Sequence, residues 1–156
     1  MQELKRFQQA AGWIAAGQNE AAESLLRKLV AENPTNHMAW DRLALCLMRQ
    51  NRHAEALGPL QKVLDASAGN ADTWAYLGAC EIVAGAPAKA LAAFTHAVEL
   101  DPGAYLPRMT LSMALLLGGR LEEATGMARS MQNVFPSDPR GSLVLRLISL
   151  LSAKEE

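Results

Sequence analysis

A spacing of 34 residues recurs along the chain and constrains its fold more than any other feature. Trp40 and Trp74 are 34 residues apart, as are Pro102 and Pro136, and Pro34 lies two such intervals before Pro102. This period divides the chain without gaps into units 3–36, 37–70, 71–104 and 105–138, followed by a remnant. Recurrence at such a period is typical of proteins whose identical supersecondary units stack on one another.

The composition favours helical units. Half of the residues are apolar, yet only 5% are aromatic, and no alternating run of β-branched residues predicts a strand. Alanine recurs where two helices of a hairpin would approach closely, at Ala22, Ala56, Ala90 and Ala124. Turn residues recur between the helices of each hairpin, at Gly17, Asn51, Gly85 and Gly118-Gly119. Pro87 fits the first turn of a helix, whereas Pro59 falls inside one, where we expect a lost hydrogen bond and a kink.

The third unit carries the most complete motif. It reads Trp74, Leu77, Gly78, Ala90, Phe94, Ala97 and Pro102. This pattern resembles the tetratricopeptide (TPR) repeat, and the other three units keep parts of it. The resemblance implies an all-α, right-handed TPR solenoid that forms a single domain, 1–156, of four helix-turn-helix repeats and a C-terminal capping helix at 139–153. In the capping helix, Ser142, Arg146 and Ser149 occupy positions that would face a partner helix, and we expect them to face water.

Catalytic and metal-binding groups are not clustered in this sequence. His37, His53 and His96 occupy different repeat positions, which predicts surface or loop residues rather than ligands. Cys46 and Cys80 occupy equivalent positions 34 residues apart and are expected to be reduced, buried thiols. We therefore expect neither an enzyme nor a bound cofactor or metal.

Charge and hydropathy argue against binding to nucleic acid and against a membrane span. Lys and Arg total 15 against 16 Asp and Glu, with no basic patch for nucleic acid. The longest apolar runs are shorter than the ~20 residues of a membrane span. No secretory signal is found at the start, so we expect a cytoplasmic protein, or a periplasmic one if an N-terminal segment was removed.

The TPR resemblance further implies a concave groove lined by the first helix of each repeat, at repeat positions 2, 5, 6, 9, 12 and 13. These positions are mostly apolar here, and four of the seven methionines fall on them. The predicted contact residues for a partner are Phe7, Met38, Leu45, Met48, Tyr76, Ala79, Ile82, Met109, Met113 and Leu116. An apolar or amphipathic helical segment of a protein would fit such a groove, which predicts a chaperone or adaptor.

Three alternatives are open at this point. Positions 12 and 13 could belong partly to the core between repeats, which would leave a smaller groove. The groove or the capping helix could also bind a second copy of the chain, which is compatible with partner binding. The alternative function is a structural scaffold that homo-oligomerises within a larger cell-envelope, pilus or secretion assembly.

Two narrower resemblances concern particular classes of TPR protein. Some TPR proteins hold a C-terminal carboxylate with Lys, Arg and Asn side chains, but the equivalent sites here include Phe7, Ala11 and Asp72, so we do not expect that mode. The segments Leu77-Gly78-Ala79-Cys80 and Leu121-Glu122-Glu123-Ala124 look like the small bacterial TPR chaperones of type III secretion. Those chaperones usually carry three repeats, whereas four are recognisable here.

Overall fold

The computed structural model describes residues 1–66 and 69–152, and over these residues the protein contains nine α-helices and no β-strand. The helices are α1 (Gln2–Ala15), α2 (Asn19–Glu32), α3 (His37–Arg49), α4 (His53–Asp65), α5 (Ala71–Val83), α6 (Pro87–Leu100), α7 (Tyr105–Leu117), α8 (Leu121–Val134) and α9 (Pro139–Ser152). The all-α prediction is confirmed for this part of the chain. Residue 153, the predicted end of the capping helix, lies outside it.

Packing divides the chain into two compact units, unit 1 (Met1–Gly69) and unit 2 (Asn70–Glu156). Unit 1 contains the hairpins α1–α2 and α3–α4, and the first helices α1 and α3 are in contact. Unit 2 contains the hairpins α5–α6 and α7–α8, followed by α9. Within unit 2, α7 packs against both α5 and α9, so three first-position helices lie side by side.

The turn inside each hairpin has the same backbone geometry. The residue after the C-cap is left-handed in all four repeats, with φ of 75° at Gly17, 60° at Asn51, 76° at Gly85 and 72° at Gly119. In the last of these turns, the Gly119 N–H donates to the Leu116 carbonyl and the Arg120 N–H donates to the Leu115 carbonyl. These two bonds define a Schellman motif, which satisfies carbonyls that a helix end otherwise leaves free. The predicted turns are confirmed.

The hairpin contacts depend on small residues. Ala22, Ala56, Ala90 and Ala124 are each fully buried, as predicted. Gly78 on α5 faces the ring of Phe94 on α6, and a Cβ atom added at Gly78 would lie 2.5 Å from Phe94 Cε1. The absence of a side chain at Gly78 therefore makes room for the aromatic ring.

Three of the helical prolines occupy different environments. Pro87 is the first residue of α6, as predicted, and Pro107 lies in the first turn of α7, where a missing N–H costs no intrahelical bond. Pro59 lies inside α4 with its ring buried. The helix continues past Pro59 to Asp65, so the proline does not divide it.

A polar network joins the two hairpins of unit 1. The carboxylate of Glu23 on α2 accepts hydrogen bonds from Arg27 at 2.9 Å, from Gln50 at 2.8 Å and from Arg52 at 2.7 Å. Arg52 also pairs with Glu55 at 2.6 Å. Because Gln50 and Arg52 lie in the α3–α4 turn, the network attaches this turn to α2.

The end of the array agrees with the prediction for a capping helix. α9 packs against α7 and α8, and it buries Val144 and Ile148. Ser142, Arg146 and Ser149 are all exposed. The side of α9 that would meet a second helix is therefore polar and solvent-accessible.

Candidate functional site

The groove positions of unit 1 lie on α1 and α3, which are in contact. We call this surface the unit-1 face and define it by Leu4, Phe7, Ala11, Met38, Arg42, Leu45, Met48 and Arg49. Met38 is 65% exposed and Leu4 is 60% exposed, while Phe7, Leu45 and Met48 are half-buried. The unit-1 face thus combines apolar side chains with two exposed arginines.

The corresponding surface of unit 2 lies on the three adjacent helices α5, α7 and α9. We call it the unit-2 face and define it by Tyr76, Ala79, Ile82, Val83, Met109, Met113, Leu117, Leu143, Leu147 and Leu150. These residues share repeat positions on neighbouring helices, and helical periodicity therefore places them on the same side. Leu117 is 73% exposed, and Val83 and Leu150 are each 63% exposed.

Charge is nearly absent from the groove positions of unit 2. Among the groove positions whose side chains are described on α5, α7 and α9, the one charged residue is Asp72, in the first turn of α5. An acidic residue there is favoured by the helix dipole. The remaining surface offers mainly apolar contacts, and such a surface selects a partner by apolar burial and shape.

Burial distinguishes two of the groove positions. At position 12, Ile14 is 4% exposed and Leu116 is 8% exposed, while Met48 and Ile82 are half-buried. At position 13, the residue is exposed in all four repeats: Ala15, Arg49, Val83 and Leu117. Position 12 therefore belongs largely to the core between helices, and position 13 belongs to the surface.

The predicted contact residues of unit 2 differ in how deeply they are buried. Leu116 lies in the buried cluster of unit 2, and Ile82 and Met113 pack against that cluster while keeping part of their surface. Tyr76, Ala79 and Met109 are half-buried. The predicted contacts omitted Val83 and Leu117, which are more accessible than any of the residues just named. The inclusion of position 13 among the groove positions was the signal that could have identified them.

The two cysteines and three histidines all lie on helices. Burial raises the pKa of the Cys46 and Cys80 thiols to about 11, so both are neutral and buried as predicted. His37 and His53 are the first residues of α3 and α4 and are half-buried. The His96 side chain is 45% exposed at the surface of α6, as predicted, and packs edge-on against Trp74 at 4.5 Å. Among the described residues, no group of three His, Cys, Asp or Glu side chains could hold a metal ion.

The described helices are also too short or too polar to cross a bilayer. None of them combines the length and the apolar character that a membrane span requires.

Comparisons with known proteins agree with the helical-repeat fold. Two family models, both described as tetratricopeptide repeat, match residues 14–71 and 81–148. No curated protein matches the chain in sequence. Many solved structures do match its fold.

Three of these structures illustrate the similarity. YrrB, a TPR protein with an unusual peptide-binding site, is 20% identical over 97% of this chain and 78% of its own, with a TM-score of 0.78. MamA is 16% identical over 94% of this chain and 80% of its own, with a TM-score of 0.81. TTC0263, a thermophilic TPR protein of Thermus thermophilus, is 17% identical over 96% of this chain and 82% of its own, with a TM-score of 0.78. At these identities the similarity establishes the helical-repeat fold.

Proposed function

Because the chain belongs to the tetratricopeptide repeat family, a family of protein-interaction modules, we propose that it binds an apolar or amphipathic helical segment of a partner protein. The unit-2 face is the main contact surface in this proposal. A protein that binds such a segment acts as a chaperone or an adaptor. The peptide-binding site of YrrB supports a peptide-sized ligand for this fold.

The observation that carries the proposal is the group of exposed side chains on three adjacent helices. Val83 ends α5, Leu117 ends α7, and Leu143, Leu147 and Leu150 follow one side of α9. Exposed leucine and valine that occur singly need no explanation, but a contiguous apolar patch marks an interaction surface. Half-buried methionines at Met109 and Met113 add side chains that adapt to an irregular ligand.

The energetics of such binding are favourable. An interface of standard size buries about 800 Å² on each partner. At ~25 cal/mol per Å², that area contributes about 20 kcal/mol if it is apolar. Association costs about 4–15 kcal/mol. An apolar helix seated on the unit-2 face can therefore bind even with imperfect packing.

The test uses a fluorescent 20-residue peptide of leucine and glutamine, patterned with a helical period, and measures its binding to the full chain by anisotropy. Val83→Glu combined with Leu117→Glu should weaken binding at least tenfold, because the ligand would strand two carboxylates in apolar surroundings. Both side chains are exposed, so the thermal unfolding midpoint should change little. Unchanged binding by this variant would contradict the proposal.

A matched control variant is available on the second helices. Leu100 on α6 and Val134 on α8 are also exposed apolar residues, but they lie outside the unit-2 face. Leu100→Glu combined with Val134→Glu adds the same charge and should bind the peptide as the unsubstituted chain does. An equal loss in both variants would show that net charge, rather than the face, governs binding.

The exposed leucines of α9 also favour the scaffold alternative, in which a second copy of the chain covers the same face. Light scattering across protein concentration separates the two functions. The peptide-binding proposal predicts a constant monomeric mass. A mass that rises with concentration, and that falls to the monomer value in the Val83→Glu and Leu117→Glu variant, would establish self-association instead.

A further inference from the structure

Three of the five arginines of unit 1 are neutralised by carboxylates of the same unit. Arg6 pairs with Glu32 at 2.6 Å, and Arg27 pairs with Glu23 at 2.9 Å. Arg52 pairs with both Glu23 and Glu55. The paired arginines lie on α1, on α2 and in the α3–α4 turn. The other two, Arg42 and Arg49, lie on α3.

Arg42 and Arg49 are both exposed, and neither has a carboxylate partner among the residues that the structure describes. They are seven residues apart, which places them on the same side of the helix, about 10.5 Å apart along its axis. Met38 and Leu45 lie on the same stripe, four residues before Arg42 and three residues after it. The stripe therefore alternates apolar and basic side chains.

Arg49 is held in place by the neighbouring helix. Its Nη1 donates a 2.8 Å hydrogen bond to the carbonyl of Ile14, near the end of α1. This bond fixes the guanidinium beside the unit-1 face while leaving its other N–H donors for a ligand. A cation positioned before binding loses less entropy when it forms an ion pair.

No charged residue on the α1 side of the unit-1 face offsets the positive charges of Arg42 and Arg49. The α1 residues of the unit-1 face are Leu4, Phe7 and Ala11, which are uncharged. The acid at a groove position of unit 1 is Asp41, which is half-buried and has an interaction of its own. The unit-1 face thus presents two accessible positive charges next to an apolar surface.

We infer that the unit-1 face recognises an acidic amphipathic helix, whose apolar side packs against Phe7, Met38 and Leu45 and whose Asp or Glu side chains, seven residues apart, meet Arg42 and Arg49. An α-helix of the partner advances by about 10.5 Å over seven residues, which is about the spacing of the two arginines. Guanidinium groups bind carboxylates in bidentate geometry. This inference rests on the proposed function in one respect, that the ligand is a helical protein segment.

Three 21-residue peptides with the same leucine stripe provide the test. They carry two Glu, two Gln or two Lys residues at i and i+7 beside the stripe, and their binding to the full chain is measured by fluorescence anisotropy. The Glu peptide should bind most tightly and the Lys peptide most weakly. Arg42→Gln should weaken the Glu peptide about two- to fivefold and leave the Gln peptide unchanged, as expected for one exposed ion pair.

Two controls accompany this measurement. Lys28→Gln removes one positive charge from the exposed side of α2, away from the unit-1 face, and should leave the binding of all three peptides unchanged. Raising the salt to about 0.5 M should abolish the preference for the Glu peptide, because the charges that produce it are exposed to solvent.

The failures of the two proposals are distinguishable. If the Glu and Gln peptides bind equally, or if Lys28→Gln acts like Arg42→Gln, the acidic preference is overturned and the proposed function stands. If a single-stranded 20-mer oligonucleotide binds better than the Glu peptide, the surface recognises phosphate, and the inference is wrong. If none of the three peptides binds at millimolar concentration, the proposed function fails together with the inference.

Discussion

At the scale of single residues, the hairpins depend on matched side-chain sizes across each helix pair. Gly78 faces Phe94, whereas the equivalent positions elsewhere combine Ala10 with Leu26, Ala44 with Leu60, and Ser112 with Ala128. Among these four pairs, the largest second-helix residue, Phe94, therefore lies opposite the smallest first-helix residue, Gly78. The TPR pattern predicts a glycine at this position, but the contact that explains it is visible only in the packed structure.

Gly78→Ala should destabilise the protein by about 1–3 kcal/mol, because its Cβ would overlap the Phe94 ring. Urea unfolding measures the loss. Adding Phe94→Leu to Gly78→Ala should recover part of the lost stability, because the double variant would have the alanine–leucine combination of the first two repeats. An unchanged unfolding free energy for Gly78→Ala would mean that α5 and α6 do not approach as closely as described.

Glu23 should make the stability of unit 1 depend on pH. Burial of its carboxylate raises its pKa, but hydrogen bonds from Gln50, Arg27 and Arg52 outweigh that effect, and the pKa lies below the ordinary glutamate value. A lowered pKa in the folded state means that the stabilisation is complete above the ordinary glutamate pKa and is lost as the pH falls through the folded pKa.

Glu23→Gln should therefore cost about 1–3 kcal/mol at pH 7, because it removes a nearly buried charged acceptor from three donors. The difference from the unsubstituted chain should shrink as the pH falls below the ordinary glutamate range. Thermal unfolding across pH follows this change. A difference that stays constant from neutral to acid pH would show that Glu23 ionisation does not contribute.

At the scale of elements, the repeat register predicted the helices and turns well because each is specified by local residues. Glycine or asparagine in the left-handed conformation ends the first helix of every hairpin, and the same spacing is visible in the sequence. A proline inside a helix predicts a lost hydrogen bond and a kink. The local sequence does not show that α4 continues through Pro59 to Asp65 with the proline buried.

Two glycines that differ in backbone conformation should respond in opposite ways to substitution by alanine. Gly126 lies within α8 with open space around its Cα, so Gly126→Ala should stabilise the protein by about 0.5–1 kcal/mol. Gly119 also has open space but a φ of 72°, so Gly119→Ala should destabilise it by about 1 kcal/mol. Chemical denaturation of both variants checks the pair. Changes of the same sign would contradict the assigned turn conformation.

At the scale of the whole molecule, the register assigns the candidate site to one side of each first helix, but it does not predict how much of that side is accessible. Ile14 and Leu116 are buried, whereas Leu150 at the same repeat position on α9 is 63% exposed. Accessibility depends on the neighbours that each helix acquires, and α9 has no following helix among the described residues. The division into two compact units likewise arises from packing between hairpins, which the 34-residue period does not encode.

Binding of an apolar helical segment to the unit-2 face can be observed by methyl NMR of the full chain during titration with the leucine and glutamine peptide. The methyl signals of Val83, Leu117, Leu143 and Leu150 should shift with a common affinity, while those of Leu100 and Val134 should not move. Shifts centred on Leu100 and Val134, or a titration that leaves the unit-2 methyl groups unchanged, would contradict binding to the unit-2 face.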